Sequence, residues 1–233
     1  MIRSGRIRNP GRVAGLWYLL LIVLGPLRLI YIPSTLFVPG DATATVNNIA
    51  AHEMLFRLGI ASELIGAVVL IFLTLAFYRL FVAVDRTLAL LVVIFGGVMP
   101  ALIYFVGVVD DFGVLMVIRR ADFLAVFDNG QRDALAMLFI KLRDSQNTAA
   151  ELLWGIWLFP LAGLVYKSRF LPRFLGVWLG IGGLAWVALS LVGTLWPQYQ
   201  GDVFTISQPA TLCEIAFTLW LVIKGATPTQ TGK

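Results

Sequence analysis

Charged side chains occur inside several long apolar stretches of this sequence, where a buried charge is costly and therefore informative. Arg28, Glu63, Glu151 and Glu214 each lie within such a stretch. A charge at the centre of a membrane helix costs about 2.5–3.5 kcal/mol on insertion scales. We therefore expect these side chains to pair with one another, to take up protons, or to line a hydrated cavity that holds a small molecule or an ion.

The stretches that carry these residues have the length and composition of membrane spans. The 233-residue chain is 59% hydrophobic and 13% charged, whereas soluble domains are roughly 25% charged. A span needs about 20 apolar residues, and six such stretches are predicted, at 13–32, 53–81, 88–109, 148–166, 174–195 and 210–223. The sequence thus predicts an all-α integral membrane protein with about six helices in one bundle, and the lipid bilayer as its partner.

Polar segments divide this predicted transmembrane domain, which covers 13–225. A basic N-terminus at 1–12 and a short tail at 226–233 flank it. Within it, 33–52 is expected to form an outer loop in which Asp41 caps a short surface helix. The longest polar part, 110–147, repeats Leu135, Leu138 and Leu142 at helical spacing, which predicts an outer amphipathic helix or an extended start of the fourth span.

The distribution of basic residues predicts the orientation. The N-terminus, 79–86, 167–173 and the C-terminus hold eleven of the eighteen Lys and Arg residues but, with Asp85, only one of the thirteen Asp and Glu residues. The positive-inside rule places that side in the cytoplasm, so both termini are predicted to be cytoplasmic in a cell inner (plasma) membrane. The net charge of +5 is dispersed in short groups, so no nucleic-acid partner is expected.

The four charged residues inside the spans are predicted to share a depth, within roughly 5–15 Å of the outer boundary at 1.5 Å per residue. Glu63 has no basic residue three or four positions away, and Arg28 is its best partner by depth. The remaining excess of acid predicts a protonated carboxyl, or pairing with Arg57, Arg143 or a cationic ligand. Arg57 also follows Glu53 by four residues, which predicts a local ion pair.

These residues lead to a predicted ligand-binding pocket formed by Arg28, Arg57, Glu63, Glu151 and Glu214. Three functions remain open: binding or transport of a small molecule or ion, a membrane enzyme that uses a buried carboxylate on a lipid or quinone, and a structural or assembly subunit. No Glu-x-x-His spacing supports a metal site, and His52 is expected at the surface. No cofactor and no oligomeric state are predicted.

Two stretches are similar to each other. Residues 61–79 align without gaps to 149–167, with six of nineteen positions identical. Each stretch continues through a basic loop into a helix with a Gly-Gly pair, at 96–97 and 182–183. The similarity indicates either a parallel repeat of two helical hairpins or a chance match between leucine-rich helices.

Several short sequence motifs occur together along most of the chain: 38–42, 55–60, 75–80, 84–86, 164–168, 170–177 and the segment from Glu214 to Gly225. Together they resemble a bacterial membrane family catalogued only as domain of unknown function 4386. The resemblance implies a helical multi-pass membrane protein and assigns no reaction or substrate. Arg57 and Glu214 fall on positions associated with the family pattern.

Overall fold

A computed structural model of the protein describes residues 9–227, and every regular element in that part of the chain is helical. The α-helices are α1 Pro10–Pro26, α2 Ile32–Leu36, α3 Ala42–Ala51, α4 Glu53–Phe81, α5 Arg86–Val93, α6 Met99–Ile118, α7 Asn129–Ile156, α8 Leu158–Ser168, α9 Arg173–Leu195, α10 Gln200–Thr211 and α11 Cys213–Ile223. The predictions made for 1–8 and 228–233 lie outside the described residues.

Six helical stretches of the described chain are long and apolar enough to cross a membrane. They are span one Pro10–Leu36, span two Glu53–Phe81, span three Arg86–Ile118, span four Asn129–Ser168, span five Arg173–Leu195 and span six Pro197–Ile223. The predicted all-helical, six-span architecture is therefore confirmed. The orientation of the termini, the internal repeat and the division at 12 and 225 stay predictions.

Spans three and four are longer than the sequence pattern indicated. Span three continues to Ile118, and span four begins at Asn129, so within 110–147 the structure has the extended start of the fourth span that was one of the two alternatives. Asp111 and Arg143, which lie in that segment, are both buried and paired with other charges. Because their charges are compensated inside the protein, the helices continue through them.

The expected surface helix in 33–52 is present as α3. The Asp41 carboxylate accepts a hydrogen bond from the backbone N–H of Ala44 at 2.8 Å, which satisfies a donor that the first helical turn leaves unpaired. Thr45 is fully buried and its hydroxyl bonds to the backbone of Val38. The N-terminal end of α3 is therefore tied to the chain that precedes it.

The helices group into two compact units. Unit two consists of Val23–Ala67 and Leu102–Asn147, and it contains parts of spans one to four. Its core is aliphatic, with Ile32, Ile49 and Leu115 almost completely buried. Arg28, Glu63, Asp111 and Arg143, which are considered below, also belong to this unit.

Within the described residues, unit one consists of 9–22, Val68–Ala101 and 148–227. Its core is rich in aromatic rings: Tyr18, Phe217 and Trp157 each pack within 6.4 Å of the Phe77 ring, centroid to centroid. Gly96 leaves room for the Trp157 indole, since a Cβ at this glycine would lie 2.9 Å from an indole carbon. The core of this unit is thus packed from large aromatic rings, with glycine where a ring comes close to a helix.

Two π-helical turns interrupt the spans, at Leu27–Tyr31 and at Ile94–Val98. A proline follows each turn after one further residue, Pro33 in span one and Pro100 in span three. Proline has no N–H, and its ring crowds the carbonyl four residues earlier, so a wider turn at that carbonyl relieves the crowding. The first π turn carries Arg28, and π turns are frequent at functional sites.

Candidate functional site

Arg28 projects from the π turn of span one toward two carboxylates of unit two. Its Nη2 lies 2.8 Å from both carboxylate oxygens of Asp111 on span three. Its Nε donates to Glu63 Oε2 on span two at 3.2 Å. The arginine side chain is 11% exposed and both carboxylates are 4% exposed. Arg28 therefore joins two acids from different spans at a site almost closed to solvent.

A second arginine, Arg143 on span four, completes the group. Its Nη2 donates to the same Glu63 Oε2 that Arg28 contacts. Its Nη1 lies 3.8 Å from Asp111 Oδ2, which is an ion-pair distance but beyond a hydrogen bond. We call Arg28, Glu63, Asp111 and Arg143 the ion cluster. Two cations and two anions give it a formal charge of zero.

The ion cluster draws one charged residue from each of four spans. Removing ions from water costs several kcal/mol each, and their attraction offsets this only when the geometry is good and other hydrogen bonds are made. In the cluster each acid contacts two arginines. Such an arrangement can hold the spans together. It also places fixed positive and negative charges within the spans, where they can form hydrogen bonds with a polar solute.

Hydrogen bonding in the cluster is incomplete. Arg143 Nε and Nη1 are buried and have no hydrogen-bond acceptor in the described part of the chain. The buried Gln146 Oε1 likewise has no hydrogen-bond donor there. The Gln146 amide nitrogen donates to the carbonyl of Ile103. A buried polar group without a partner costs about 1–3 kcal/mol, and a water or a ligand group in an adjoining space commonly supplies it.

A cavity of about 140 Å³ lies beside the cluster, within unit two. Its polar walls come from the two arginines of the cluster, Asp111, Asp144 and Asn147, and its apolar walls come from Leu29, Pro33, Phe37 and Ile140. Arg143, which has N–H groups without acceptors, thus also lines this cavity. This combination of apolar walls and a few convergent polar groups is typical of small-molecule sites.

Of the residues predicted for the pocket, Arg28 and Glu63 are in direct contact with each other. Arg57 makes its ion pair with Glu53, at 2.6 Å, as its four-residue spacing predicted. Glu53 also pairs with Arg119, at 2.7 Å. This group is more exposed than the ion cluster, and all of it belongs to unit two.

Glu151 and Glu214 belong to unit one, and each has surroundings of its own there. Glu214 accepts hydrogen bonds from the Tyr18 hydroxyl and, at 2.9 Å, from the Trp186 indole N–H. Both donors are neutral, so Glu214 is held by hydrogen bonds rather than by the arginine pairing seen in unit two. Glu151 is partly buried, and its Oε2 has no hydrogen-bond partner in the described chain.

Two members of the ion cluster, Asp111 and Arg143, were missing from the predicted pocket. Asp111 looked like the end of a span because Asp110 precedes it. A signal was nevertheless present, since the sequence from Phe112 to Ile118 is again apolar. Arg143 follows Ala136 and Ile140 at helical spacing, and these are buried neighbours on the same face.

The described residues contain no group of three or more His, Cys, Asp or Glu side chains arranged to hold a metal ion. His52 is exposed at the end of α3, where its Nδ1 lies 3.1 Å from the Asn48 carbonyl oxygen. Cys213 is a buried free thiol.

Known sequences similar to this chain include one family and one archaeal protein. A model of the family described as Domain of unknown function (DUF4386) matches residues 13–225. An uncharacterized protein of Archaeoglobus fulgidus is 35% identical over 72 residues, which cover 31% of this chain and 41% of that protein. The chain therefore matches less than half the length of this relative. No solved structure matches the chain.

Proposed function

This chain belongs to the family described as Domain of unknown function (DUF4386), and from that premise we propose that it binds or transports a small polar molecule through the cavity beside the ion cluster. The resemblance noted in the sequence is thereby confirmed, but the family description names no activity. The proposal rests on one observation. A cavity is lined by buried Arg143 and Asp111 and by the largely buried Arg28, and Arg143 has N–H groups without an acceptor in the described chain.

The size of the cavity limits the ligand. Its volume of about 140 Å³ is close to that of an engineered protein cavity of about 150 Å³ that binds benzene. A molecule of about six non-hydrogen atoms therefore fits. The apolar side chains of Phe37 and Ile140 favour a ligand with a short hydrocarbon part, while Asn147 and Asp144 offer polar contacts at the same cavity.

The charge balance limits the chemical class. Because the ion cluster already sums to zero, a bound anion or cation would add an uncompensated charge to a buried site, which is unfavourable. A neutral or zwitterionic solute adds none. It can present an acceptor to Arg143 and a donor to Asp111, so a small amino acid is the simplest chemical type that meets both conditions.

The predicted orientation supports access from the outer side of a plasma membrane. In that orientation the basic loops are cytoplasmic, and Glu63 and Arg28 lie in the outer part of the bilayer. Binding in the outer leaflet fits uptake of a solute, or sensing of it, from outside the cell.

A binding experiment with matched probes tests the proposal. The purified protein in detergent is dialysed against radiolabelled alanine, propionate or propylamine, which share a three-carbon frame but differ in charge. We expect retention of alanine above both singly charged probes. Leu29→Trp, which fills one wall of the cavity, should abolish retention, whereas Ile30→Trp, at an exposed neighbour outside the lining, should leave it unchanged.

The opposite outcome is equally clear. If none of the three probes is retained while Glu63→Gln lowers thermal stability, the cluster serves to hold the spans together, and the protein is better described as a structural or assembly subunit. Retention that Leu29→Trp and Ile30→Trp leave equally intact would also remove the case for this cavity.

A further inference from the structure

A second and larger cavity, of about 270 Å³, lies in unit two where span three ends and span four begins. Its lining consists mainly of polar side chains from α3 and from the ends of the two spans: Thr43, Asn47, Arg120, Asn129, Arg132 and Asp133, with Val46, Ala50, Val117 and Ile118. It shares no lining residue with the cavity beside the ion cluster. It is therefore a separate candidate site.

Hydrogen-bond donors are available at this second cavity. The Arg120 guanidinium makes no hydrogen bond or ion pair within residues 9–227, and the side-chain amides of Asn47 and Asn129 are also unbonded there. Arg132 uses only its Nε, which donates to the Phe127 carbonyl at 2.9 Å. The one acid of the lining, Asp133, already accepts from the Thr43 hydroxyl at 2.7 Å.

The charge of the lining favours an anion. Two arginines and one aspartate give a formal charge of +1. A guanidinium presents paired N–H donors that match the geometry of phosphate oxygens, and the asparagine amides add donors of the same kind. A phosphate group fits this set better than a cation or an apolar ligand does.

The exposed and charged side chains around the cavity indicate its depth relative to the membrane. Apolar residues remain exposed as far as Met54 near the start of span two and Met116 near the end of span three, as expected where helices face lipid. The ion pair between Glu53 and Arg119 lies immediately beyond both. Arg120 is therefore placed at the polar headgroup layer, which is roughly 5–8 Å thick on each side of the hydrocarbon core.

The loop between the two spans also presents apolar side chains. Phe123 is 69% exposed and Val126 is 82% exposed, although charged residues surround them in the sequence. Large exposed apolar side chains beside a basic site are suited to contact the hydrocarbon of a lipid whose headgroup the basic site holds.

We propose that this second cavity binds the phosphate of an anionic phospholipid headgroup, with Arg120 and Arg132 as its cationic contacts and Phe123 and Val126 against the acyl region. The site is independent of the solute cavity, so either can fail without the other. The bound lipid would hold the C-terminal end of span three and the N-terminal end of span four at the membrane surface.

Native mass spectrometry tests the proposal. The protein is reconstituted in nanodiscs of phosphatidylcholine containing phosphatidylglycerol, released into detergent, and examined for lipid adducts. The variant is Arg120→Asn, because Arg120 has a positive φ of 54° and asparagine tolerates that conformation. The matched control is Arg169→Asn, at an exposed arginine in unit one with a φ of 59°.

We expect phosphatidylglycerol adducts on the wild type and on Arg169→Asn, and about tenfold weaker binding in Arg120→Asn, as loss of one charge-assisted contact implies. Soluble glycerol 3-phosphate should compete poorly, because it lacks acyl chains. Equal adduct formation in both variants would overturn the site. Competition by glycerol 3-phosphate at the affinity of the lipid would instead show a free phosphate ester as the ligand, and would overturn the lipid assignment.

Discussion

Arg28 Nη2 lies 2.8 Å from each carboxylate oxygen of Asp111, although the two residues are 83 positions apart in the chain. The contact joins the π turn of span one to the C-terminal part of span three, at a place where both side chains are nearly inaccessible. Because a buried charge without its partner is much more costly than an exposed one, this pair offers a direct measure of how far unit two depends on its charges.

We predict that Arg28→Met lowers the free energy of unfolding by about 3–5 kcal/mol, since it leaves Asp111 and Glu63 with Arg143 as their only cluster cation. Unfolding by SDS in mixed micelles, followed by tryptophan fluorescence, measures the change. Arg57→Met is the control: its pair with Glu53 is partly exposed, so it should cost at most about 1 kcal/mol.

A double-mutant cycle separates this pairing from loss of packing. Arg28→Met combined with Asp111→Leu should be less destabilised than the sum of the single changes, because the double variant leaves no uncompensated charge at that pair. Strict additivity of the two single changes would show that the contact contributes nothing to stability.

Gly107 offers a test of the position of Arg143 that leaves every charge in place. A Cβ at Gly107 would lie 2.6 Å from Arg143 Cζ and 2.9 Å from Gln146 Nε2, distances that real structures avoid. We predict that Gly107→Ala displaces the guanidinium, lowers stability by about 1–3 kcal/mol and weakens retention of alanine. Differential scanning fluorimetry and the dialysis assay measure the two effects.

Gly25→Ala is the matched control for this change. Gly25 is also a helical glycine of unit two, but nothing lies within 4 Å of a Cβ built there. Replacing an interior helical glycine by alanine is favourable by up to about 1 kcal/mol, so Gly25→Ala should be neutral or stabilising. If Gly107→Ala behaved in the same way, Arg143 would not be confined as its contacts indicate.

The six spans could be predicted from the sequence because lipid imposes a simple requirement on length and polarity. Span two was predicted with the same ends that the structure has, from 53 to 81. The end of span three was not predicted, and the early start of span four was predicted only as one of two alternatives, because hydropathy treats Asp111 and Arg143 as solvent-exposed charges. Only their pairing, which involves residues far apart in sequence, makes them compatible with burial.

The candidate site could be predicted only in part, because the sequence indicates the depth of a residue but not the direction of its side chain. Depth along a span follows from residue number, and on that basis Arg28 was matched with Glu63, which it contacts. The direction in which a side chain points depends on the packing of its helix and on turns such as Leu27–Tyr31. Arg143 was therefore recognised only as one alternative partner.

In unit one, Tyr18 holds the carboxyl of Glu214 by donating its hydroxyl proton to Oε2. We predict that Tyr18→Phe lowers the free energy of unfolding by about 1–3 kcal/mol, because it leaves a buried acceptor without a donor. Tyr31→Phe removes the same group from an exposed tyrosine and should change stability by less than about 0.5 kcal/mol. Thermal unfolding in detergent compares them, and equal effects would show that the hydrogen bond is not stabilising.

A pH-dependent contribution is expected at the loop between spans two and three. Lys167 Nζ lies 2.8 Å from Asp85 Oδ2, and this hydrogen bond, together with the one from the Leu88 backbone N–H, lowers the pKa of Asp85 from 3.8. Because the pKa of Asp85 is lower in the folded state than in the unfolded state, its ionised carboxylate stabilises the folded state at a pH above the unfolded-state pKa. This stabilisation is lost as the pH falls through the folded-state pKa. Asp85→Asn should therefore lower the melting temperature at pH 7, and this difference should shrink progressively as the pH falls below 3.8.

Asparagine at position 85 can still cap α5, so the comparison isolates the ionic part of the interaction. Lys167→Met should reproduce the loss at pH 7, because it removes the cation while Asp85 continues to accept from the Leu88 N–H at 3.1 Å. Asp122→Asn, at an aspartate with no ion pair in the described chain, should leave the melting temperature unchanged at both pH values. A deficit of Asp85→Asn that persisted unchanged into acid would show that the carboxylate charge does not contribute, and that the side chain acts through its shape or its cap alone.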